Sequence, residues 1–298
     1  MALPPVYLVD ASIYIFRAWF SMSDEFVNQR GEPTNAVYGF SGFLCSLLEQ
    51  TGAEHIAIAF DESLSKSHRN EIYPDYKANR EPAPPELKRQ FEQCREVTRV
   101  LGIRECAATT FEADDLIGTM AAGMRDAGHC VTIVSRDKDL LQILQAGDTF
   151  WDYAGNKTIR YDQVTEKFGV RAEQIVDFLA LAGDSVDNIP GAPGVGQKTA
   201  KALLEHFDTI DELYANLDRV ADIPVRGAGK LGARLAEHED KVTLSRQLSQ
   251  IRYDAPVEAH EVALGRKVPD LEGLNTLYDE VGFGHALRRQ AQRIVDTY

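Results

Sequence analysis

The sequence predicts an α/β fold, with a central, mostly parallel sheet flanked by helices and then a smaller helical unit. Three observations predict it. Short apolar runs recur through the first 150 positions, the pattern of strands buried on both faces. Longer amphipathic stretches separate them, and strand–helix repetition makes a parallel sheet covered by helices. From about residue 172 the strand-like runs give way to helix-like ones.

Taken in order, Val6-Tyr7-Leu8-Val9 is the first strand and stops at Asp10. A helix is expected over 35–49. Ile56-Ala57-Ile58-Ala59-Phe60 is the second strand and stops at Asp61. The stretch 63–85 is polar, carries Lys66, Arg69, Tyr73, Tyr76, Lys77 and Arg80, and closes on Pro82-Ala83-Pro84-Pro85. It exceeds the usual ~2–6 residue connection, and long connections of this kind tend to be functional or disordered. Helices over 85–101 and 114–127 lead to a third strand, Cys130-Val131-Thr132-Ile133-Val134, followed by Ser135-Arg136-Asp137. Further helices are expected over 172–182, 199–205 and 210–216, with one late strand around 251–253. Domains are placed at 1–172 and 173–298.

The 298 residues suffice for a sizeable core, and 44% apolar with 26% charged residues excludes a disordered or fibrous chain. No apolar run nears the ~20 residues of a spanning helix, so no membrane partner is expected. Met1 to Asp10 shows no basic stretch ahead of an apolar one, which sets a cytoplasmic expectation. Cys45, Cys94, Cys106 and Cys130 are scattered and the histidines lack ligand spacing, which argues against a disulfide framework or structural zinc.

The carboxylates carry the functional signal. Asp10, Asp61, Glu112, Asp114, Asp115, Asp137, Asp139, Asp184 and Asp187 lie at expected strand ends or near helix starts. Any one alone reads as a cap or turn residue. Together they would crowd the carboxyl edge of a parallel sheet, where ligands bind. Carboxylates gathered there repel unless a cation compensates. Oxygen donors without His or Cys favour a hard ion, Mg²⁺ or Mn²⁺, and this many favour two ions. Two such ions suit phosphodiester hydrolysis. No Ser-His-Asp or Cys-His arrangement suggests a covalent route. Spacing limits convergence: Asp137 and Asp139 share a side only on extended chain, and Asp184 and Asp187 share a face if helical. Glu112 must precede the helix that carries Asp114, or not all three of Glu112, Asp114 and Asp115 are direct ligands.

The net charge of −14 first argues against nucleic acid. Setting the nine acids aside leaves −5, and 64–104 holds nine Lys/Arg against six Asp/Glu. An acidic total is then compatible with a phosphate-binding surface. Gly191 to Thr199 misses the P-loop by one place, because Gln197 separates Gly196 from Lys198. What remains, Pro-Gly-x-x-Gly-x-Gly before a helix, exposes N–H groups as an anion site.

Six segments, in order, resemble the 5′-nuclease family: the 5′→3′ exonuclease domain of bacterial DNA polymerase I, stand-alone bacterial and phage 5′-3′ exonucleases, and flap endonucleases. They are Val9-Asp10-Ala11-Ser12, Ala59-Phe60-Asp61, Tyr76-Lys77-Ala78-Asn79-Arg80, Phe111-Glu112-Ala113-Asp114-Asp115, Ser135-Arg136-Asp137-Lys138-Asp139-Leu140 and Gly183-Asp184-x-x-Asp187-Asn188-Ile189-Pro190-Gly191, followed by the glycine turn. The resemblance covers about 6–205 and implies a helical arch over about 63–100. It implies a helix–hairpin–helix-type element over about 183–205, in a C-terminal helical DNA-binding subdomain. The implied activity is structure-dependent hydrolysis of DNA at 5′ ends and 5′ flaps, with RNA primer–DNA hybrids as further substrates. By motif position, Asp10, Asp61, Glu112 and Asp114 would serve one metal, and Asp115, Asp137, Asp139, Asp184 and Asp187 would serve or support the second. Lys77 and Arg80 match the basic residues that stabilise charge on the scissile phosphate. Arg17 would contact phosphate, Phe16 or Tyr76 would stack on a base, and Gly194, Gly196 and Lys198 would hold duplex backbone, with K⁺ at the turn. No polymerase domain follows Tyr298, so the chain is similar to free-standing members, and the expectation is a monomeric, bacterial, cytoplasmic, nucleoid-associated enzyme. The alternatives are a non-catalytic branched-DNA-binding relative and a ribonuclease of the wider acidic-cluster group. The complete acid set argues against the former; the latter would not need the glycine turn.

Overall fold

The computed structural model describes residues 3–62 and 66–297. The three apolar runs become β1 (Val6–Asp10), β2 (His55–Asp61) and, after β3 (Arg104–Ala108), β4 (Val131–Val134). β5 (Thr149–Asp152) and β6 (Lys157–Arg160) complete one six-stranded sheet in the order β3-β2-β1-β4-β5-β6. β1 to β5 run parallel, and β6 returns antiparallel against β5. The order reverses between β1 and β4, the kind of switch point beyond which open α/β sheets take their ligands.

Alternation along the strands decides where the acids go. Asp10 is in register with Ala59, two residues before Asp61. Side chains alternate faces, so Val6, Leu8 and Asp10 share a face with Ala57, Ala59 and Asp61. The helices of this part are α1 (Ala11–Ser21), α2 (Asn35–Thr51), α3 (His68–Ile72), α4 (Pro85–Val100) and α5 (Ala113–Asp126). Leu116, Ile117 and Met120 of α5 pack with Val6, Leu8, Ala57 and Ala59 in one core. Val9, Ile56 and Ile58 face the opposite way and pack with residues of α1, α2 and α4. Asp10 and Asp61 therefore lie on the α5 face, beside the start of that helix.

The helical part comprises α6 (Val164–Phe168), α7 (Ile175–Ala182), α8 (Gln197–Phe207), α9 (Ile210–Ala215), α10 (Ala228–Glu237), α11 (Glu239–Ser249), α12 (Glu261–Leu264), α13 (Leu271–Glu280) and α14 (His285–Asp296). α7 packs against α8 and α11. Among the described residues no helix is long and apolar enough to cross a membrane. Cys45, Cys94, Cys106 and Cys130 are all free thiols.

Three expectations need correction. The arch does not extend to residue 100: α4 buries Leu87, Cys94 and Val97 and packs on α2 as a helix of the main layer. Between β2 and α4 the described residues 66–84 hold α3 and a turn, and Ser63, Leu64 and Ser65, where the expected arch begins, lie outside the described residues. Residues 251–253 form no strand. Their segment is held on α5 instead, where the Arg252 amide donates to Asp115 Oδ1 (2.9 Å) and the Ala255 amide to Thr119 Oγ1 (3.1 Å). The helical unit expected over 173–298 also ends early. α13 and α14 return to α4 and α2, where Leu274, Tyr278, Leu287 and Ile294 join the core of the first part.

Candidate active site

A cavity of about 1810 Å³ opens at the carboxyl ends of the parallel strands, lined among others by Asp10, Asp61, Glu112, Asp114, Asp137 and Asp187. Each acid is set by local structure. Asp10 caps α1, accepting from the Ser12 amide (3.1 Å), and its other oxygen accepts from Ser135 Oγ (3.0 Å). Asp61 accepts from Ser12 Oγ (3.0 Å) and from the Ala113 amide (2.8 Å), which joins the end of β2 to the start of α5. Glu112 is the N-cap of α5, outside the helix, which is one of the two arrangements the spacing allowed. Asp137 caps the 3₁₀ turn Lys138–Ile143 by accepting from the Asp139 amide (3.0 Å). Asp184 and Ile189 exchange backbone hydrogen bonds in a tight turn rather than a helix, and that turn carries Asp187.

Electrostatics divides these acids into two linked groups. Burial pushes Asp10 up to about 7, helped by the charges of Asp61 and Asp137 and opposed by the bonds from Ser135 and Ser12. Asp114 is raised well above the carboxylate range by burial and then by Asp137, Asp10 and Asp61. Asp139 is raised in the same way by burial and then by Asp137, Asp184 and Asp187. Asp137 belongs to both groups and is itself raised, chiefly by burial. Such a cluster is tolerable only with cations nearby. Among the described residues, no three His, Cys, Asp or Glu side chains form a ready-made metal cage. Side-chain cations do lie against these carboxylates.

Those cations come from the segment between α3 and α4. Lys77 Nζ lies 2.9 Å from Glu112 Oε2 and 3.6 Å from Asp187 Oδ2 with its side chain only 9% exposed. Burial would discharge it, but Glu112 and then Asp187 hold its pKa above the ordinary lysine value. Lys77 is also one of the non-glycine residues with positive φ, at 55°, and its amide donates to the Asp187 carbonyl (3.0 Å). That conformation is costly for a side-chain-bearing residue and persists because both bonds fix it. Arg80 pairs with Asp187 Oδ1. Lys77 and Arg80 thus sit in a turn segment, not on a helix, and both face the carboxylates.

Asp115 does not line the cavity, and what it can do there is support: it holds the Glu112 amide and Arg69. It is fully buried, and Arg69 binds its two oxygens at 2.8 and 2.9 Å while the Arg252 and Glu112 amides donate to them. Burial pushes Asp115 up, but Arg69 and the amides overcome it and hold the group below its ordinary value. Tyr76 lines the cavity but presents little surface to it in this structure. It is 3% exposed, with its hydroxyl 3.1 Å from both Glu112 Oε2 and Asp187 Oδ2. Phe16, by contrast, is an exposed ring on the cavity wall, and Arg17 lines it too. Gly194 and Gly196 are exposed in the turn before α8 and Lys198 is exposed in the first turn of that helix, with the Arg234 side chain of α10 lying against Gly194. Gly191 closes that turn at φ +64°, and a Cβ there would meet the Gly183 nitrogen at 2.4 Å, so only glycine fits.

Arg69 was not foreseen as a structural centre. Besides Asp115 it donates to the carbonyls of Leu248 (2.8 Å) and Gln250 (2.9 Å), joining α3, α5 and the end of α11. Its partner lies 46 residues away, so no local pattern could reveal it. Ser12 and Ser135 were legible in principle, since each stands two residues from an acid it bonds. Replacing Arg69 by alanine leaves Asp115 buried without its counter-charge, which should destabilise by about 3–5 kcal/mol. A thermal melt should then shift down by roughly 10 °C. An unchanged melt would show that the pair holds nothing together.

The comparisons agree with this architecture. The family described as "5'-3' exonuclease, N-terminal resolvase-like domain" matches residues 5–169, and "5'-3' exonuclease, C-terminal SAM fold" matches 170–272. The chain is 39% identical over 284 residues to DNA polymerase I of Pseudomonas aeruginosa, covering 95% of this chain and 31% of that protein. It thus spans about a third of the length of the polymerase relatives. It is 34% identical over 254 residues to a 5'-3' exonuclease of Buchnera aphidicola, covering 85% of this chain and 88% of that one. Among solved structures, the T5 D15 protein co-crystallised with metal ions aligns with a TM-score of 0.68 at 17% identity, covering 98% of this chain and 99% of that one. The catalytic core of Rad2 in complex with DNA substrate aligns with a TM-score of 0.63 at 15% identity, covering 99% and 92%. These two likenesses establish the shared fold, and the two family matches together with the Buchnera relative establish that the chain belongs to the 5′-3′ exonuclease family.

Proposed function

We propose that the chain is a metal-dependent, structure-specific 5′ nuclease that hydrolyses phosphodiester bonds at 5′ ends and 5′ flaps of DNA. The observation that carries this reading is the convergence of carboxylates from β1, β2, the start of α5 and the turn after β4 into one cavity, with Lys77 and Arg80 facing them. The relatives are named as exonucleases and polymerases, which supports the reading.

The donor set fits hard divalent ions. It is all oxygen, and burial and neighbouring carboxylates push Asp10, Asp114 and Asp139 upward, a repulsion that a bound cation would relieve. An open set of oxygen donors suits Mg²⁺, which keeps several waters. Asp10, Asp61 and Asp114, with Glu112 beside them, would hold one Mg²⁺ or Mn²⁺. Asp139, Asp184 and Asp187 would hold or support a second, with Asp137 between the two. Ions bound there would activate water and stabilise the leaving oxygen. Lys77 and Arg80 would place positive charge on the scissile phosphate once it displaces their carboxylate partners. Ser12 and Ser135 fix the Asp10 and Asp61 oxygens, and Tyr76 fixes Glu112. Arg17 and Phe16 would meet the single strand. Gly194, Gly196 and Lys198 would bind duplex backbone, with K⁺ coordinated by carbonyls of that turn. RNA primer–DNA hybrids would be cut in the same way, by a monomer acting on bacterial DNA in the cytoplasm, at the nucleoid.

The test is a 5′-labelled flapped duplex. Short 5′ products should appear with Mg²⁺ and not with chelator. A folded protein that binds the flap but never cuts it with Mg²⁺ or Mn²⁺ would be a DNA-structure-binding relative instead.

A further inference from the structure

We propose that Phe20, together with Phe16, forms a stacking platform for nucleobases of the single strand held in the cavity; this rests on the nuclease reading above and adds a residue that the sequence motifs do not mark. Phe20 lies on the last turn of α1 and is 79% exposed, an unusual position for a large apolar ring that packs against no core. It stands one helical turn from Phe16, with ring centroids 6.4 Å apart and planes within 14°. Phe16 is in turn braced edge-on by Phe91 of α4, at 5.5 Å and 68°. The two rings are nearly parallel, the inner one braced by Phe91 and the outer one open.

The row occupies a particular place. α1 begins directly after Asp10, so Phe16 and Phe20 lie roughly 9 and 15 Å along the helix from that carboxylate. Both rings line the same cavity as the acids. Arg17, Lys66 and Lys88 line it as well; all three are exposed and, among the described residues, none makes a side-chain ion pair. Flat apolar faces among unpaired cations match a strand of stacked bases with charged phosphates. A purely apolar ligand would leave the cations unexplained, and a compact anion would leave the rings unexplained. The strand would therefore run from the carboxylates along α1, with a base on Phe16 and the next on Phe20.

The test combines protein and DNA changes. Phe20→Ala and Phe20→Leu remove the ring, whereas Phe20→Tyr keeps it. Affinity and single-turnover cleavage are measured on 5′-flap DNA carrying one abasic site, moved along the flap position by position. The expected result is about tenfold weaker flap binding for Phe20→Ala and Phe20→Leu, near-normal binding for Phe20→Tyr and unchanged thermal melts. The penalty should vanish when the abasic site occupies the position stacked on Phe20. Wild-type affinity in Phe20→Ala, or a penalty that persists at every abasic position, would overturn the platform. If the wild-type protein binds flaps but cuts none, the nuclease reading fails, and the affinity arm still decides the platform by the same two outcomes.

Discussion

Replacing Asp137 and Asp139 together by asparagine is expected to lower flap cleavage at least about 1,000-fold, because several kcal/mol of charge stabilisation go with the ions those carboxylates would hold. Asp137 is the member that both halves of the cluster sense: Asp114 on one side and Asp139 on the other are raised by its charge. The same substitution should leave the fold intact. Asparagine is as good an N-cap as aspartate, so the bond from the residue-139 amide to the side chain at 137 survives. Removing two like charges from a buried cluster also relieves repulsion. Without metal, the double variant should melt at or above the wild-type temperature while being inactive. Cleavage within tenfold of wild type, or a lowered melt, would contradict the assignment.

Lys77→Ala is expected to reduce turnover about 100- to 1,000-fold, the cost of losing one preorganised charge on the reacting group. Flap affinity should change only a few-fold, since Arg17, Lys66, Lys88 and Lys198 remain to meet phosphates. The variant should still fold, because Glu112 keeps the Tyr76 hydroxyl at 3.1 Å and Arg69 at 3.5 Å. Single-turnover rates and binding measured on one flap substrate separate the two effects. Equal losses in rate and affinity would reduce Lys77 to a general phosphate contact.

The parts legible in the sequence were those with a local physical signature. β1, β2 and β4 were visible as apolar runs because both their faces are covered, and α2, α4 and α5 because one face is. α1 was missed: Ala11–Ser21 is dense in aromatic and β-branched residues, so its apolar positions do not stand out as one stripe. β3 was missed because it is an edge strand, largely half-exposed, that starts on Arg104 and Glu105. The acidic cluster was legible because strand ends of a parallel sheet share one edge. Its membership was not fully so: Asp114 and Asp115 are neighbours in sequence, and only the tertiary position of Arg69 decides that Asp115 turns away from the cavity. The burial of Tyr76 was hidden for the same reason, since its partners Glu112 and Asp187 come from distant segments. The return of α13 and α14 to α2 and α4 left no trace beyond ordinary amphipathicity, which does not name a partner.

Anomalous scattering from crystals grown with Mn²⁺ would address the shared carboxylate pocket most directly. Two Mn²⁺ peaks are predicted in the cavity, one within coordinating reach of Asp10, Asp61 or Asp114 and the other of Asp139, Asp184 or Asp187, with Asp137 between them and none at Asp115. No peak in the cavity at saturating Mn²⁺, with the metal instead on outer surface acids, would contradict the account.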